Sequence, residues 1–310
     1  MKTMTSKPVL SLKNVTKIYG KPGSKSATVG IKDLSLEILQ GEIFGFLGQN
    51  GAGKTTTIRC LLSILLPQKG EMFIEDQMVS RDNPEIRELI GYLPGEWSVP
   101  GNITVEDFLY YIAALKNRPS NRMQEIAERF ELQLHRKVGE LSKGNKQKVG
   151  LVVAFMHDPD IYILDEPTSG LDPFWQQEVY KLIREEKQRG KTTFFSSHNL
   201  DEVQKLSDRV AIIREGKLVT VEKVEDLSEK IPRILRAQID QLSEEDVTKL
   251  GQSMKIVGYD YLTEELKVQI SRPHELGIII EKLNSLNSRL EDISYPPASL
   301  EEYFFSKYRE

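Results

Sequence analysis

Hydrophobic positions along the first two thirds of the chain follow two rhythms. Val9 to Val15 (VLSLKNV) and Leu34 to Leu39 (LSLEIL, closed by Gly41) alternate apolar and polar residues, which predicts strands with one buried face. Glu42 to Leu47 (EIFGFL) and Ile161 to Leu164 (IYIL) are short and almost continuously apolar, the pattern of strands covered on both faces. Further short strands are predicted at Phe73–Ile74, Ile90–Leu93 and Thr192–Ser196, and a hairpin at Val210–Arg214 and Lys217–Val221 around Glu215-Gly216. Helical periodicity covers Lys54 to Leu66, stopped by Pro67, then Pro84–Leu89, Thr104–Lys116 and Asn121–Phe130. Ser142 opens another helix running to about His157, Pro173–Arg189 forms a long one ended by Gly190, and Leu200–Leu206 a short one. Lys21 to Ser26 (KPGSKS) reads as a turn or loop.

Strands alternating with helices from Glu42 onward imply a mostly parallel sheet with helices on both faces, and the flanking hairpins add an antiparallel layer. After about Thr220 the order changes. Arg233–Ile239, Ser243–Leu250, Met254–Tyr259, Leu266–Ile270, Glu275–Leu286 and Leu290–Ser294 read strand, helix, strand, strand, helix, strand, the ferredoxin-like split unit. Ser299 to Lys307 would be a terminal helix. The expected division is a first domain over 1–223, with a helical subdomain at about 96–157, and a small α+β domain over 224–310.

Composition acts mainly by exclusion. The 310 residues leave room for one large domain and one small one. A net charge of −4 offers no general basic field for nucleic acid. Cys60 is the single cysteine, so no intramolecular disulfide forms, which suits a reducing cytoplasm. The apolar run around Leu61 to Leu66 is far short of the ~20 residues that cross a bilayer. The N-terminal MKTMTSKPVLSL has no long apolar signal region. Any service to a membrane therefore goes through a partner.

The chemistry sits in motifs. Gly48 to Thr55 (GQNGAGKT) fits G-x-x-x-x-G-K-[ST], with a strand before and a helix after. In such a loop Gly48, Gln49, Asn50, Gly51, Ala52, Gly53, Lys54, Thr55 and Thr56 wrap phosphate with backbone N–H groups at a helix N-terminus. Lys54 would pair with the β and γ phosphates, and Thr55 would place its hydroxyl on Mg²⁺. Asp165 and Glu166 end an apolar strand, where carboxylates face the crevice in which ligands bind. Asp165 would hold Mg²⁺, and Glu166 would polarise an attacking water.

With LSKGN (Leu141–Asn145), SGLD (Ser169–Asp172) and SSH (Ser196–His198) following in order, the chain over about Val9 to Val221 resembles an ATP-binding-cassette (ABC) ATPase subunit. The resemblance implies a P-loop NTPase fold of the ABC type. It implies that Tyr19 stacks on adenine, that Asp165 and Glu166 are the Walker B pair, and that His198 contacts the γ-phosphate. Leu141–Asn145 becomes the signature, with Ser142 and Gly144 closing over the ATP of an opposing subunit. Two positions depart from the family pattern. The signature is usually LSGGQ, and here Lys143 brings a charge that either touches phosphate or is solvated. Gly95 stands where the family has a glutamine, so Glu96 or water completes the Mg²⁺ shell.

His135, His157 and His274 show no motif and read as structural. The charged run Glu178 to Lys191 reads as a solvated helix face.

GYLPGE, the LSKGN-K-QKV wording and the ending SLEEYFFSKY are similar to the drug and antibiotic-export ATPases, as is the small C-terminal extension. The expected function is the ATP-hydrolysing subunit of an exporter, driven by ATP-dependent dimerisation. The permease would lie on a separate chain, and residues Gly95–Lys116 would receive it. Two copies of the chain would pair, a heterodimer being the alternative. The chain would lie at the cytoplasmic face of the membrane. The competing class is a soluble ABC protein acting on ribosome or DNA; its translation-associated type carries two cassettes in one chain and its DNA-repair type a long coiled coil between motifs, and this sequence shows neither of these nor a long basic stretch.

Overall fold

A computed structural model describes residues 7–20, 27–96, 99–116, 122–226, 233–240, 242–270, 275–285 and 289–295. It divides into two units, Met1–Val224 and Glu225–Glu310. The terminal helix expected at Ser299–Lys307, the loop at Lys21–Ser26 and His274 lie outside the described residues.

The first unit holds two sheets. One is antiparallel: β1 (Pro8–Tyr19), β2 (Thr28–Leu39), β4 (Lys69–Ile74) and β5 (Gln77–Met78), in the order β2-β1-β4-β5. The other contains β3 (Ile43–Leu47), β6 (Ile90–Leu93), β7 (Ile161–Asp165), β8 (Thr192–Ser197), β9 (Arg209–Arg214) and β10 (Lys217–Lys223). Its order is β10-β9-β3-β8-β7-β6, parallel except for the terminal β9–β10 hairpin. Every residue of β3, β7 and β8 is buried, which explains the apolar runs Ile43–Leu47 and Ile161–Leu164; β8 (TTFFSS) buries two threonines and two serines around its phenylalanines. A continuous core joins the two sheets, with Leu10, Leu36 and Ile74 on one side and Phe44, Phe46 and Phe194 on the other.

Among the described residues six α-helices complete this unit: α1 (Lys54–Leu61), α2 (Val105–Leu115), α3 (Met123–Arg129), α4 (Lys143–Phe155), α5 (Pro173–Gln188) and α6 (Leu200–Leu206). Helices α2 and α3 pack on α4. Thr104, Ser142, Asp172 and Asn199 each cap a helix by accepting backbone N–H groups, as their residue types favour.

Three local readings change. β1 continues to Tyr19, because Asn14 takes a left-handed φ of 50° and forms a bulge after which pairing resumes. α1 ends at Leu61, short of Leu66, because Ser63 adopts φ 55° and turns the chain out of the helix. Residues Pro84–Leu89 form a 3₁₀ turn. The run Glu178–Lys191 is not wholly solvated either. Glu186 is fully buried, accepting from Arg122 Nη1 at 2.6 Å, Arg189 Nη1 at 2.7 Å and Tyr162 Oη at 2.9 Å. A buried carboxylate survives only with such partners.

The second unit contains β11 (Arg233–Asp240), α7 (Glu244–Gly251), β12 (Lys255–Asp260), β13 (Glu265–Ile270), α8 (Glu275–Asn284) and β14 (Arg289–Ser294). Its antiparallel sheet runs β12-β13-β11-β14. Leu235, Ala237, Ile239, Leu266 and Val268 form its own core with Leu250, Ile279 and Leu283 of the helices.

Candidate functional site

The site grows from the C-terminal ends of the central strands. β3 delivers the chain into the glycine loop, and the Gly48 amide donates to the Ser197 carbonyl at 3.2 Å. Gly51 and Gly53 then adopt left-handed φ values of 82° and 110°. A Cβ on Gly53 would stand 2.4 Å from the Gly30 carbonyl, so no other residue fits there without displacing backbone. The amides of Gly51, Gly53, Lys54 and Thr55 have no backbone acceptor among the described residues. They are the free donors of a helix start, arranged for an anion. Lys54, only 5% exposed, folds back over the loop, and its Nζ donates to Gly48 O at 2.7 Å and Gln49 O at 3.3 Å.

The acidic pair arrives on β7, beside β8. Asp165 is buried, and its Oδ1 accepts from Ser196 Oγ at 2.5 Å. Burial pushes the neighbouring Tyr92 phenol up to about 12, with the Asp165 charge adding to the push. Glu166 occupies a left-handed φ of 52°, an uncommon conformation for this residue. Its amide is held there by Ser196 O at 3.2 Å and Ser196 Oγ at 3.1 Å. The side chain then reaches both other reactive groups, with Glu166 Oε1 3.4 Å from Lys54 Nζ and 3.1 Å from His198 Nδ1. Lys54, Glu166 and His198 thus form one contiguous set.

Tyr19 and the loop share a cleft of about 270 Å³ that also takes in Thr55, Thr56 and Glu166. Tyr19 Oη lies 3.0 Å from Thr56 Oγ1, the residue is 37% exposed, and Lys17 Nζ stands over its ring at 6.0 Å from the centroid. Ser142 and Gly144 do not line this cleft. Ser142 caps α4, accepting from the Asn145 amide at 3.3 Å. Gly144 lies against the loop after Glu166, where an added Cβ would be 2.7 Å from Gly170 O. The stem of Lys143 covers the same Gly170. Gly95 passes beside Asp165, where an added Cβ would be 3.3 Å from Oδ2, and Glu96 next to it is exposed.

Several contributors escaped the sequence reading. Thr28, Val29 and Gly30 form the far wall of the cleft. Gly30 admits the Tyr19 ring, since its Cβ would meet Tyr19 Cε2 at 2.8 Å, and a glycine inside a strand was the available signal. Gln147 Nε2 donates to Glu166 O and Pro167 O, each at 3.0 Å, tying the signature helix to the acidic loop. Ser196 is the hinge on which both carboxylates are set.

Comparison with known proteins identifies the family. The ABC transporter family profile matches residues 31–169. The bacitracin transport ATP-binding protein BcrA of Bacillus licheniformis is 34% identical over 307 residues, covering 96% of each chain. A solved ATP-binding subunit of an ABC transporter is similar with a TM-score of 0.64 and 27% identity, covering 72% of this chain and 92% of its own. The ATP-binding cassette MJ0796, solved as a dimer bound to ADP and Pi, shares the fold with a TM-score of 0.63 at 24% identity, over 69% of this chain and 98% of its own. The chain belongs to the ABC transporter family, as an ATP-binding subunit that hydrolyses ATP.

Proposed function

We propose that this subunit powers export through a separate membrane permease, by closing as a pair around two ATP molecules. The observation that carries the reading is the contact of Glu166 with both Lys54 and His198 at the mouth of the glycine loop. Tyr19 stacks on adenine, the loop amides and Lys54 take the phosphates, and Glu166 accepts a proton from the attacking water. His198 orients on the γ-phosphate from the other side of Glu166. Thr55 and Asp165 offer the hard oxygen donors that suit Mg²⁺. Among the described residues no cluster of His, Cys, Asp and Glu could cage a metal alone, so the ion would share its shell with phosphate oxygens. When bound it neutralises the charge on those oxygens.

Ser142 and Gly144 lie outside the cleft of their own chain, which fits a role on the ATP of a second copy. Sandwiched ATP then holds the pair, and loss of the γ-phosphate contacts opens it. An apolar groove of about 450 Å³ lies between the end of α1, β6 and α2, lined by Ile64, Tyr92, Ile112 and Leu115 together with the charged Arg87, Glu88 and Lys116. It would seat a short helix of the permease. No helix among the described residues is long and apolar enough to cross a membrane, so transport needs that partner. BcrA, by its name a bacitracin transport ATP-binding protein, supports a role in transport; export and a place at the cytoplasmic face of the membrane belong to the proposal. The β-α-β-β-α-β order of the second unit and its β12-β13-β11-β14 sheet support a ferredoxin-like accessory domain.

Membrane retention tests this reading. In cells that make the permease, the tagged chain sediments with salt-washed membranes, and Leu115→Asp combined with Ile64→Asp releases it with an unchanged melting curve. A native chain found wholly in the soluble fraction contradicts the transporter role.

A further inference from the structure

The two reactive side chains that meet above the P-loop stand on different loops, and one buried carboxylate outside the cleft touches both loops. Glu202, on α6, is 2% exposed. Its Oε1 accepts from Thr168 Oγ1 at 2.8 Å, and its Oε2 accepts from Ser197 Oγ at 2.5 Å. Thr168 stands two residues after Glu166, and Ser197 directly precedes His198. The Glu202 amide donates to Asn199 Oδ1 at 3.4 Å, so both chain neighbours of His198 are held by the one residue. Ser197 also accepts the Gly48 amide through its carbonyl at 3.2 Å, which extends the bracket to the entrance of the glycine loop.

Burying a carboxylate is costly, and an apolar side chain of the same size would fill this space without that cost. Burial pushes the Glu202 carboxyl up, while the Ser197 and Thr168 hydroxyls draw it back. What the carboxylate supplies is two fixed acceptors facing two loops, at a set separation.

We propose that Glu202 is a positioning residue that sets the approach of Glu166 to His198 by bracketing the loops that carry them. It acts on the hydrolytic step and leaves ATP binding alone. The proposal rests on the reading of Glu166 and His198 as the hydrolytic pair. Glu202 itself touches neither the cleft nor the phosphates.

The test uses the purified full chain, unaltered and as Glu202→Leu, Glu202→Gln and Thr168→Val. For each, kcat and KM for ATP with Mg²⁺ are measured beside a melting curve. Glu202→Leu removes both acceptors and lowers kcat on the order of 100-fold, the cost of misplacing reacting groups by about 1 Å. Its KM stays within about twofold of the native value. Glu202→Gln keeps the shape and one acceptor, and recovers most of that loss. Thr168→Val frees only the Glu166 loop and loses about tenfold in kcat. In a Glu166→Gln background, Glu202→Leu and Thr168→Val have no further effect on the residual single-turnover rate, because the pair they misalign is already broken.

A kcat within about twofold of native for Thr168→Val overturns the proposal if Glu202→Leu is also active or does not fold. So does a KM that rises in step with the fall in kcat, which would mark a general loss of structure. Full ATP turnover by Glu166→Gln or His198→Ala overturns the hydrolytic pair itself, and the proposal with it; it is recognised separately because Glu202 plays no part in that measurement.

Discussion

The glycine-loop half of the nucleotide site and the signature half differ in how much of a site each one is. The first is complete within one chain. Glu166 touches both Lys54 and His198, the loop amides have no backbone acceptor among the described residues, and Tyr19 lines the same cleft as the loop. The second has a capped helix and a close glycine contact, but its residues face Gly170 and share no cleft with the loop. On the proposed reading, one half binds nucleotide alone and the other acts toward another copy. The difference separates binding from pairing, and substitutions in the two halves should divide the same way.

Glu166→Gln gives the largest effect. Steady-state ATP hydrolysis falls on the order of 1000-fold, the worth of a positioned general base, while ATP affinity measured by equilibrium titration is kept. Lys54→Ala acts on binding instead. It removes charge-assisted contacts to phosphate worth about 1.5–3 kcal/mol each, so ATP affinity of the monomer falls roughly tenfold to 100-fold. Tyr19→Ala removes an aromatic platform worth about 1–3 kcal/mol per base, and should weaken ATP about tenfold with kcat at saturation unchanged. Ser142→Ala is the smallest and the sharpest. Loss of an N-cap costs about 1 kcal/mol, read as a small drop in melting temperature. Monomer affinity for ATP stays native while ATP-driven pairing weakens. Weakened monomer binding in Ser142→Ala would break the division.

The P-loop half was legible because the spacing is the chemistry. Two glycines with φ 82° and 110° and a lysine that folds over them require that word in that order. The βαββαβ order of the small unit could be read for a similar reason, since each element carries its own periodicity and turn residues. Tyr19 could not be read from its surroundings. Its strand passes a bulge at Asn14, and its partner Gly30 lies on the facing strand, so only resemblance marked it. The roles of Ser196, Gln147 and Glu202 were invisible for a related reason. Each matters through parallel pairing of β7 with β8 or through the approach of α4 and α6, contacts between residues far apart in the chain. Glu186, inside a run that looked solvated, was hidden likewise, because the Arg122 that covers it comes from another helix region. Local pattern gives elements and phosphate-binding words; second-line supports of a site appear only when strands are in register.

The most direct test of the two-half account is light scattering of the purified Glu166→Gln chain with ATP and Mg²⁺. The account predicts a stable dimer carrying two ATP molecules, dispersed when Ser142→Ala or Lys54→Ala is added. A Glu166→Gln chain that binds ATP at full occupancy and remains a monomer would contradict it.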